Sequence, residues 1–156
     1  MPRSDLLKGR CSMTHQAYHI TCTTYRRARW FESPALARIV IREMRALHEA
    51  NSVDSLAWAL MPDHFHWLFT LQSERDLAGV MQSLKGRSAK LINDHLHRSG
   101  TVWQKGFYDH AVRANENLQQ IARYIVANPL RAGLVQNIGD YPWWDAVWLE
   151  NSLHVG

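Results

Sequence analysis

Two histidines two residues apart, His64 and His66, stand in the stretch MPDHFHWLF, residues 61–69. Pro62 and Asp63 read as a tight turn, and the run from His64 to Phe69 alternates as a strand does. Successive strand side chains point to opposite faces of a sheet. Phe65, Trp67 and Phe69 then share an apolar face, while His64, His66 and Leu68 share the other. Two imidazoles on one strand face can reach one point, which is what a metal site requires. The plainer alternative is a pair of polar residues on the wet side of a half-buried strand. A second pair, His95 and His97, lies in a helical stretch. There, residues two apart point roughly 200° away from one another, so that pair reads as surface.

A histidine pair needs further groups to do chemistry. Tyr124 and Asn128, four apart on a helical stretch, lie one turn from each other on one face. A phenol can form a covalent intermediate, and an Asn carbonyl is an acceptable third metal ligand. A boundary Tyr and a helix-ending Asn before Pro129 are the structural alternative. Oxygen and water ligands suit Mg²⁺ and Mn²⁺, and two imidazoles tilt toward Mn²⁺. No side chain is singled out by the sequence as a general base.

The elements that must position these groups follow from periodicity. Residues 17–25 read as a strand with Tyr18, Ile20 and Cys22 inward and His19, Thr21 and Thr23 outward. Ser33 and Pro34 start a helix whose apolar positions run through Leu36, Ile39, Val40, Met44 and Leu47. Residues 53–61 form a strand that pairs as a hairpin with the His-bearing strand. Residues 73–76 lead into a second helix with Leu77, Val80, Met81, Leu84, Leu91 and Ile92 inward. Residues 101–113 read as a fourth strand. Asn115 is expected to cap a third helix, which Asn128-Pro129 ends. The first six elements match the split βαβ, ferredoxin-like arrangement. The expected class is α+β: an antiparallel sheet with two helices on one face and, on the other, an extra C-terminal helix carrying Tyr124.

Composition sets wider bounds. The chain has 156 residues, 46% of them hydrophobic. That is long enough for one domain with a real core and too apolar for a disordered chain. The expected organisation is a basic arm over residues 1–16, one domain over 17–148 and a tail over 149–156. A net charge of +4 permits a polyanionic partner without requiring one. Arg26, Arg27 and Arg29, with Lys85, Arg87 and Lys90, are candidate phosphate contacts, or simply a solvated face. Trp143, Trp144 and Trp148 are available for base stacking or for packing the tail. Two cysteines, Cys11 and Cys22, make no disulfide framework or zinc site. No apolar run reaches the ~20 residues of a membrane span and no secretory signal is evident, so the expected compartment is the cytoplasm.

Three stretches, MPDHFHWLF, WQKGFYDHAVR and YIVANPLRAGLV, in that order and spacing, resemble the single-tyrosine HUH transposases, and within them the REP-associated tyrosine transposases. The resemblance spans roughly residues 15–148. It implies nicking of single-stranded DNA, often beside a hairpin, by a tyrosine that becomes linked to the 5′ phosphate, with a divalent metal positioning the scissile phosphate. The matching positions are His64 and His66 for the metal and Tyr124 for the nucleophile. Related insertion-sequence transposases carry Gln where this chain has Asn128 as third ligand. The resemblance leaves both a monomer and a homodimer open. The competing readings are a non-catalytic hairpin-DNA binder of the same fold, a metal hydrolase, and an RNA-binding ferredoxin-like domain. Hydrolase barrels that use His-x-His need ~250 residues, and no RNP1-like stretch is present.

Overall fold

The computed structural model describes residues 15–72 and 76–148. Residues 1–14 of the arm expected over 1–16, residues 73–75 of the lead expected over 73–76, and the tail over 149–156 lie outside the described residues. The elements are β1 (Ala17–Thr23), α1 (Pro34–Glu49), β2 (Val53–Met61), β3 (His64–Leu71), α2 (Leu77–Leu96), β4 (Tyr108–Ala111), α3 (Leu118–Val126), the short α4 (Asn128–Arg131) and β5 (Trp144–Ala146). They form an α+β fold around a five-stranded sheet of order β4-β1-β3-β2-β5, antiparallel at every pairing. The first four strands have the expected ferredoxin-like order, and β5 extends the sheet beyond β2. Among the described residues no helix is long and apolar enough to cross a membrane.

The two faces of the sheet follow the alternation. Tyr18, Ile20, Cys22, Phe65, Trp67 and Phe69 are fully buried and meet Leu36, Val40 and Met44 of α1 and Leu77, Val80, Met81 and Leu84 of α2 in one core. Ser33 caps α1 by accepting from the Leu36 amide, with Pro34 in the first turn. Asp76 caps α2 by accepting from the Gly79 amide. His97 closes α2 in the left-handed region, φ 53°, and both His95 and His97 are exposed, as their helical spacing requires.

On the opposite face a smaller core forms. Ala122 and Ile125 of α3 rest on Leu68, Ala57, Ala59 and Ala146. A one-residue irregularity between Ser55 and Ala57 makes this arrangement. It sets Ser55 opposite Phe69 and Ala57 opposite Leu68, so β2 changes which residues it sends to each face. Ser55 accordingly reaches the main core and accepts from Trp67 Nε1 at 2.9 Å.

Several expected boundaries move. The fourth strand, expected over residues 101–113, is regular only at Tyr108–Ala111. Gly106, at φ +76°, turns the chain before it. Trp103, upstream, makes a single bridge to Thr24 and packs at 5.5 Å against both Phe31 and Phe65. The cap of α3 is Asn117, not Asn115: its side chain accepts from the Gln120 amide at 3.1 Å. The helix ends one step before Asn128, and Pro129 sits in the first turn of α4, where its missing N–H costs nothing. The aromatic tail is partly a strand, with Trp144 opposite Ala59 and Ala146 opposite Ala57. Trp143 packs on the main core, while Trp144 and Trp148 pack on the smaller one.

Candidate active site

β3 is the central strand of the site face. Its start is fixed by the Pro62-Asp63 turn, whose backbone is tied on two sides. The Asp63 carbonyl accepts from Thr24 N and Thr24 Oγ1, and the Pro62 carbonyl accepts from Phe31 N. The turn then aims the Asp63 carboxylate at His64, whose Nδ1 lies 2.7 Å from Asp63 Oδ1. Arg27 Nε donates to the other oxygen at 2.9 Å. Burial pushes the Asp63 carboxyl upward, but the hydrogen bonds and charges of His64 and Arg27 outweigh it, and the group titrates below its ordinary value. Arg26 and Arg27 both adopt the left-handed region, φ 56° and 57°, an uncommon backbone for non-glycine residues.

His66 lies between Thr21 of β1 and Ala59 of β2. Its Nδ1 is 3.1 Å from both Thr21 Oγ1 and His19 Nε2. Burial first, then the neighbouring His64, His19 and Arg131, pushes it down to about 3, so it is neutral at pH 7. His19 is also lowered, by burial and then by His110. The rings of His64 and His66 lie 5.2 Å apart, edge to face. With Nδ1 of each imidazole engaged, Nε2 is the nitrogen left for a ligand. Metal-binding histidines characteristically bond their other ring nitrogen in this way.

His66 also predicts how the unliganded protein responds to acid. Its folded-state value is depressed, so between pH 6.5 and about 3 the unfolded chain binds the extra proton and the native state does not. Stability is then present above the unfolded value and is lost as pH falls. The loss from this group is on the order of 5 kcal/mol over that window. Thermal melts of the metal-free protein from pH 7 to 4 are expected to show a falling Tm. A His66→Gln variant is expected to flatten that slope, and an unchanged slope would remove His66 as its source.

Tyr124 projects from α3 and is 55% exposed. The guanidinium of Arg131, on α4, lies 3.9 Å above its ring, and Arg131 Nη2 donates to the Tyr124 carbonyl at 2.7 Å. Asn128 is half-buried at the start of α4. Its Nδ2 donates to the Ile125 carbonyl at 3.0 Å, which leaves the side-chain carbonyl oxygen for another partner. A cavity of about 480 Å³ runs from Tyr124 to His19 and His110 and includes Glu116 and Gln120 in its wall. His19, in the wall of this cavity, touches His66 of the histidine pair.

Among the described residues no group of three or more His, Cys, Asp or Glu side chains is placed to hold a metal. The expected donors, the His64 and His66 imidazoles and the Asn128 carbonyl oxygen, would need water or substrate oxygens to complete an octahedral ion. Such a set fits Mg²⁺ or Mn²⁺.

The six basic candidates do not form one surface. Arg26, Arg27 and Arg29 cluster beyond β1, near the turn that carries Asp63. Arg27 is engaged with Asp63 and Arg29 pairs with Glu32 at 3.3 Å. Lys85, Arg87 and Lys90 belong to α2, on the far side of the sheet from the histidines. Lys85 Nζ donates to the Gln104 and Gly106 carbonyls, Arg87 pairs with Glu43 at 2.6 Å and Lys90 with Asp94 at 2.9 Å.

Five residues around the site carry no sequence expectation as functional groups: His19, Asp63, His110, Glu116 and Arg131. The alternation already put His19 on the face of His64 and His66. The β1–β4 register then sets His110 directly opposite His19, a pairing between residues 91 positions apart that periodicity alone does not give.

Known proteins match this fold and site. A family model described as "Transposase IS200 like" matches residues 12–128. The REP-associated tyrosine transposase of Escherichia coli (strain K12) is 28% identical over 89 residues, 56% of this chain and 50% of that protein. A provisionally named REP-associated tyrosine transposase of Haemophilus influenzae is 26% identical over 117 residues, 66% of each chain. The matched part thus spans half to two thirds of these relatives. A solved REP-associated tyrosine transposase, bound to a REP hairpin, superposes with a TM-score of 0.70 at 19% identity, covering 85% of this chain and 78% of its own. A provisionally named transposase from Deinococcus radiodurans R1 gives a TM-score of 0.54 at 22% identity, covering 72% and 91%. With three quarters of its length matched by the family model, the chain belongs to the IS200-like transposases.

Proposed function

We propose that the protein nicks and rejoins single-stranded DNA beside a hairpin, through a covalent bond between Tyr124 and a 5′ phosphate. The observation that carries this reading is the placement of α3. It sets an exposed phenol against the same sheet face that holds two imidazoles with their Nδ1 atoms already bonded. A divalent ion held by His64, His66 and Asn128 would polarise a phosphoryl oxygen and fix the phosphate for in-line attack. The chain's own residues do the rest. Asp63 and Thr21 orient the two imidazoles, Asn128 offers its carbonyl oxygen from the start of α4, and Tyr124 supplies the attacking oxygen. A tyrosine phosphodiester keeps the energy of the broken linkage, so the strand can be rejoined. Hydrolysis would discard it. The hairpin follows from the sequence resemblance and from the related transposase that was solved with one. Arg26 and Arg29, exposed beside the Asp63 turn, are the nearer of the candidate phosphate contacts, and the cytoplasm is the place of action.

Titration calorimetry with Mn²⁺ tests the metal site. His64→Ala is expected to weaken binding by at least ~10-fold, and Asp63→Asn by roughly 10-fold through loss of the imidazole's partner. Unchanged affinity in His64→Ala would remove the histidine pair as ligands.

The substrate is tested with a labelled hairpin carrying a single-stranded flank. With about four phosphate contacts, affinity should fall roughly 50-fold between 50 and 200 mM salt. Metal-dependent cleavage is expected of the flanked hairpin and not of a blunt duplex. Equal cleavage of both would overturn the substrate assignment, and binding without cleavage would leave a hairpin-binding protein that does no chemistry.

A further inference from the structure

The proposed reaction leaves one proton without a destination. A tyrosine phenol has an ordinary pKa near 10 and is largely protonated at neutral pH, so its attack on phosphorus needs an acceptor. Four histidines occupy the site face. His64 and His66 have Nδ1 engaged and Nε2 left for a ligand, and His19, half-buried in the wall of the cavity that Tyr124 lines, has its Nε2 on His66. His110 is different. It lines the same cavity as Tyr124, its side chain is 35% exposed, and it stands across from the ligand histidines with His19 between them.

We propose that His110, oriented by Glu116, is the general base that accepts the Tyr124 proton. Rings and carboxylate are arranged for it. His110 Nε2 lies 2.9 Å and 3.1 Å from the two Glu116 oxygens, so Nε2–H is the donor and Nδ1 keeps the free lone pair. Glu116 is itself fixed by the Arg113 backbone N–H at 2.8 Å and by Arg113 Nε at 3.3 Å. The Arg113 backbone hydrogen bond and then His110 hold its carboxyl below the usual range, and an ionised carboxylate is what stabilises the imidazolium once it forms. Nucleophile, base and orienting acid thus come from α3, β4 and the loop between them, the same logic as other activated nucleophiles. The cavity admits water, so transfer runs directly or through one water molecule.

The step balances. The Tyr124 Oη–H proton moves to His110 Nδ1 while the oxygen lone pair forms the O–P bond. The P–O3′ bond breaks, O3′ leaves with its electron pair and takes a proton from water to become the 3′-hydroxyl. On rejoining, the incoming 3′-hydroxyl gives its proton back to hydroxide as its oxygen attacks phosphorus, the P–O bond to Tyr124 breaks, and the imidazolium returns its proton to the departing phenolate.

This inference rests on Tyr124 being the nucleophile, and its test separates the two. Single-turnover cleavage of the 3′-labelled flanked hairpin is measured from pH 5 to 9 with Mn²⁺ fixed, using the full chain. The titratable and charged groups facing His110 are His19 on β1, Glu116 and Arg113 in the β4–α3 loop, and Tyr124 on α3. The wild-type rate is expected to rise with pH to a plateau. His110→Gln should lose roughly 10²- to 10⁴-fold and the inflection with it, while binding DNA within about threefold of wild type. Glu116→Gln should move the inflection to lower pH, because the imidazolium loses its counter-charge. Added imidazole should restore part of the rate to His110→Ala. A His110→Gln rate within about threefold of wild type, an inflection that persists in that variant, or an inflection unmoved in Glu116→Gln would each overturn the assignment. Should His110→Gln fail to fold, the Glu116→Gln inflection decides. A labelled protein band in Tyr124→Phe would overturn the nucleophile instead.

Discussion

Tyr124→Phe is expected to bind the flanked hairpin as the wild type does and to form no covalent protein–DNA complex, a fall on the order of 10³-fold or more. The readout is a 3′-labelled oligonucleotide incubated with Mg²⁺ or Mn²⁺ and run on a denaturing gel, where the wild type gives a protein-sized labelled band. The control that matters is Tyr108→Phe. Tyr108 pairs with Thr21, so it projects from the same sheet face as the histidines, and at 70% exposure it is open to a substrate. It is a closer rival than its position in the sequence suggests. What favours Tyr124 is its surroundings: the Arg131 cation over its ring, Asn128 one helical turn on, and a cavity shared with His110. A band that survives in Tyr124→Phe and vanishes in Tyr108→Phe would move the nucleophile to β4. The other tyrosines are worse placed. Tyr18 is fully buried on the opposite face, and Tyr141 donates to the Leu60 carbonyl at 2.6 Å, with burial pushing its phenol up to about 12.

Trp67→Ala is expected to cost ~3–5 kcal/mol, a large share of the ~5–15 kcal/mol that holds a domain together. Trp67 is fully buried, lies 4.5 Å from the Phe69 ring and donates its indole N–H to Ser55. Truncation leaves a large void and strips the Ser55 hydroxyl of its indole partner, so the packing cannot simply close. Chemical denaturation should show the midpoint falling at unchanged slope, and Tm should drop by roughly 10 °C. Since Trp67 sits between His66 and Leu68, cleavage activity should fall in step with the folded fraction. Activity lost while the stability remained would mean that the inward face of β3 is part of the chemistry.

Much of this was legible because strands alternate. The assignment of Phe65, Trp67 and Phe69 to one face and of His64, His66 and Leu68 to the other needed only a period of two, and it fixed which face α3 had to cover. The helices of the main core were legible from their stripes and caps, Ser33 above all, although Leu91, expected inward, stands exposed on the last turns of α2. What the sequence left hidden depends on contacts between distant segments. The β2 irregularity at Ser55–Ala57 has no signature of its own among apolar residues. β5 is three residues long and becomes a strand only because β2 offers it an edge. His110 and Glu116 look like an isolated polar pair until β4 lies beside β1. Arg131 stands seven positions beyond Tyr124 and reaches it only because the chain continues helically past Ala127, where Pro129 suggested a stop.

The two layers on the sheet differ greatly in what holds them down. α1 and α2 grip it through Trp, Phe, Leu and Met, whereas α3 sets Ala122 and Ile125 on Leu68, Ala57, Ala59 and Ala146, with Trp144 and Trp148 beside them. Apolar grip scales with the area removed from water, at ~25 cal/mol per Å², so Tyr124 rides on the more lightly held layer. The proposed reaction, which must let go of one DNA end and admit another, would need a moving part, and α3 with α4 is the layer expected to supply it. The heavier layer beneath would keep the histidine strand in place as α3 and α4 moved.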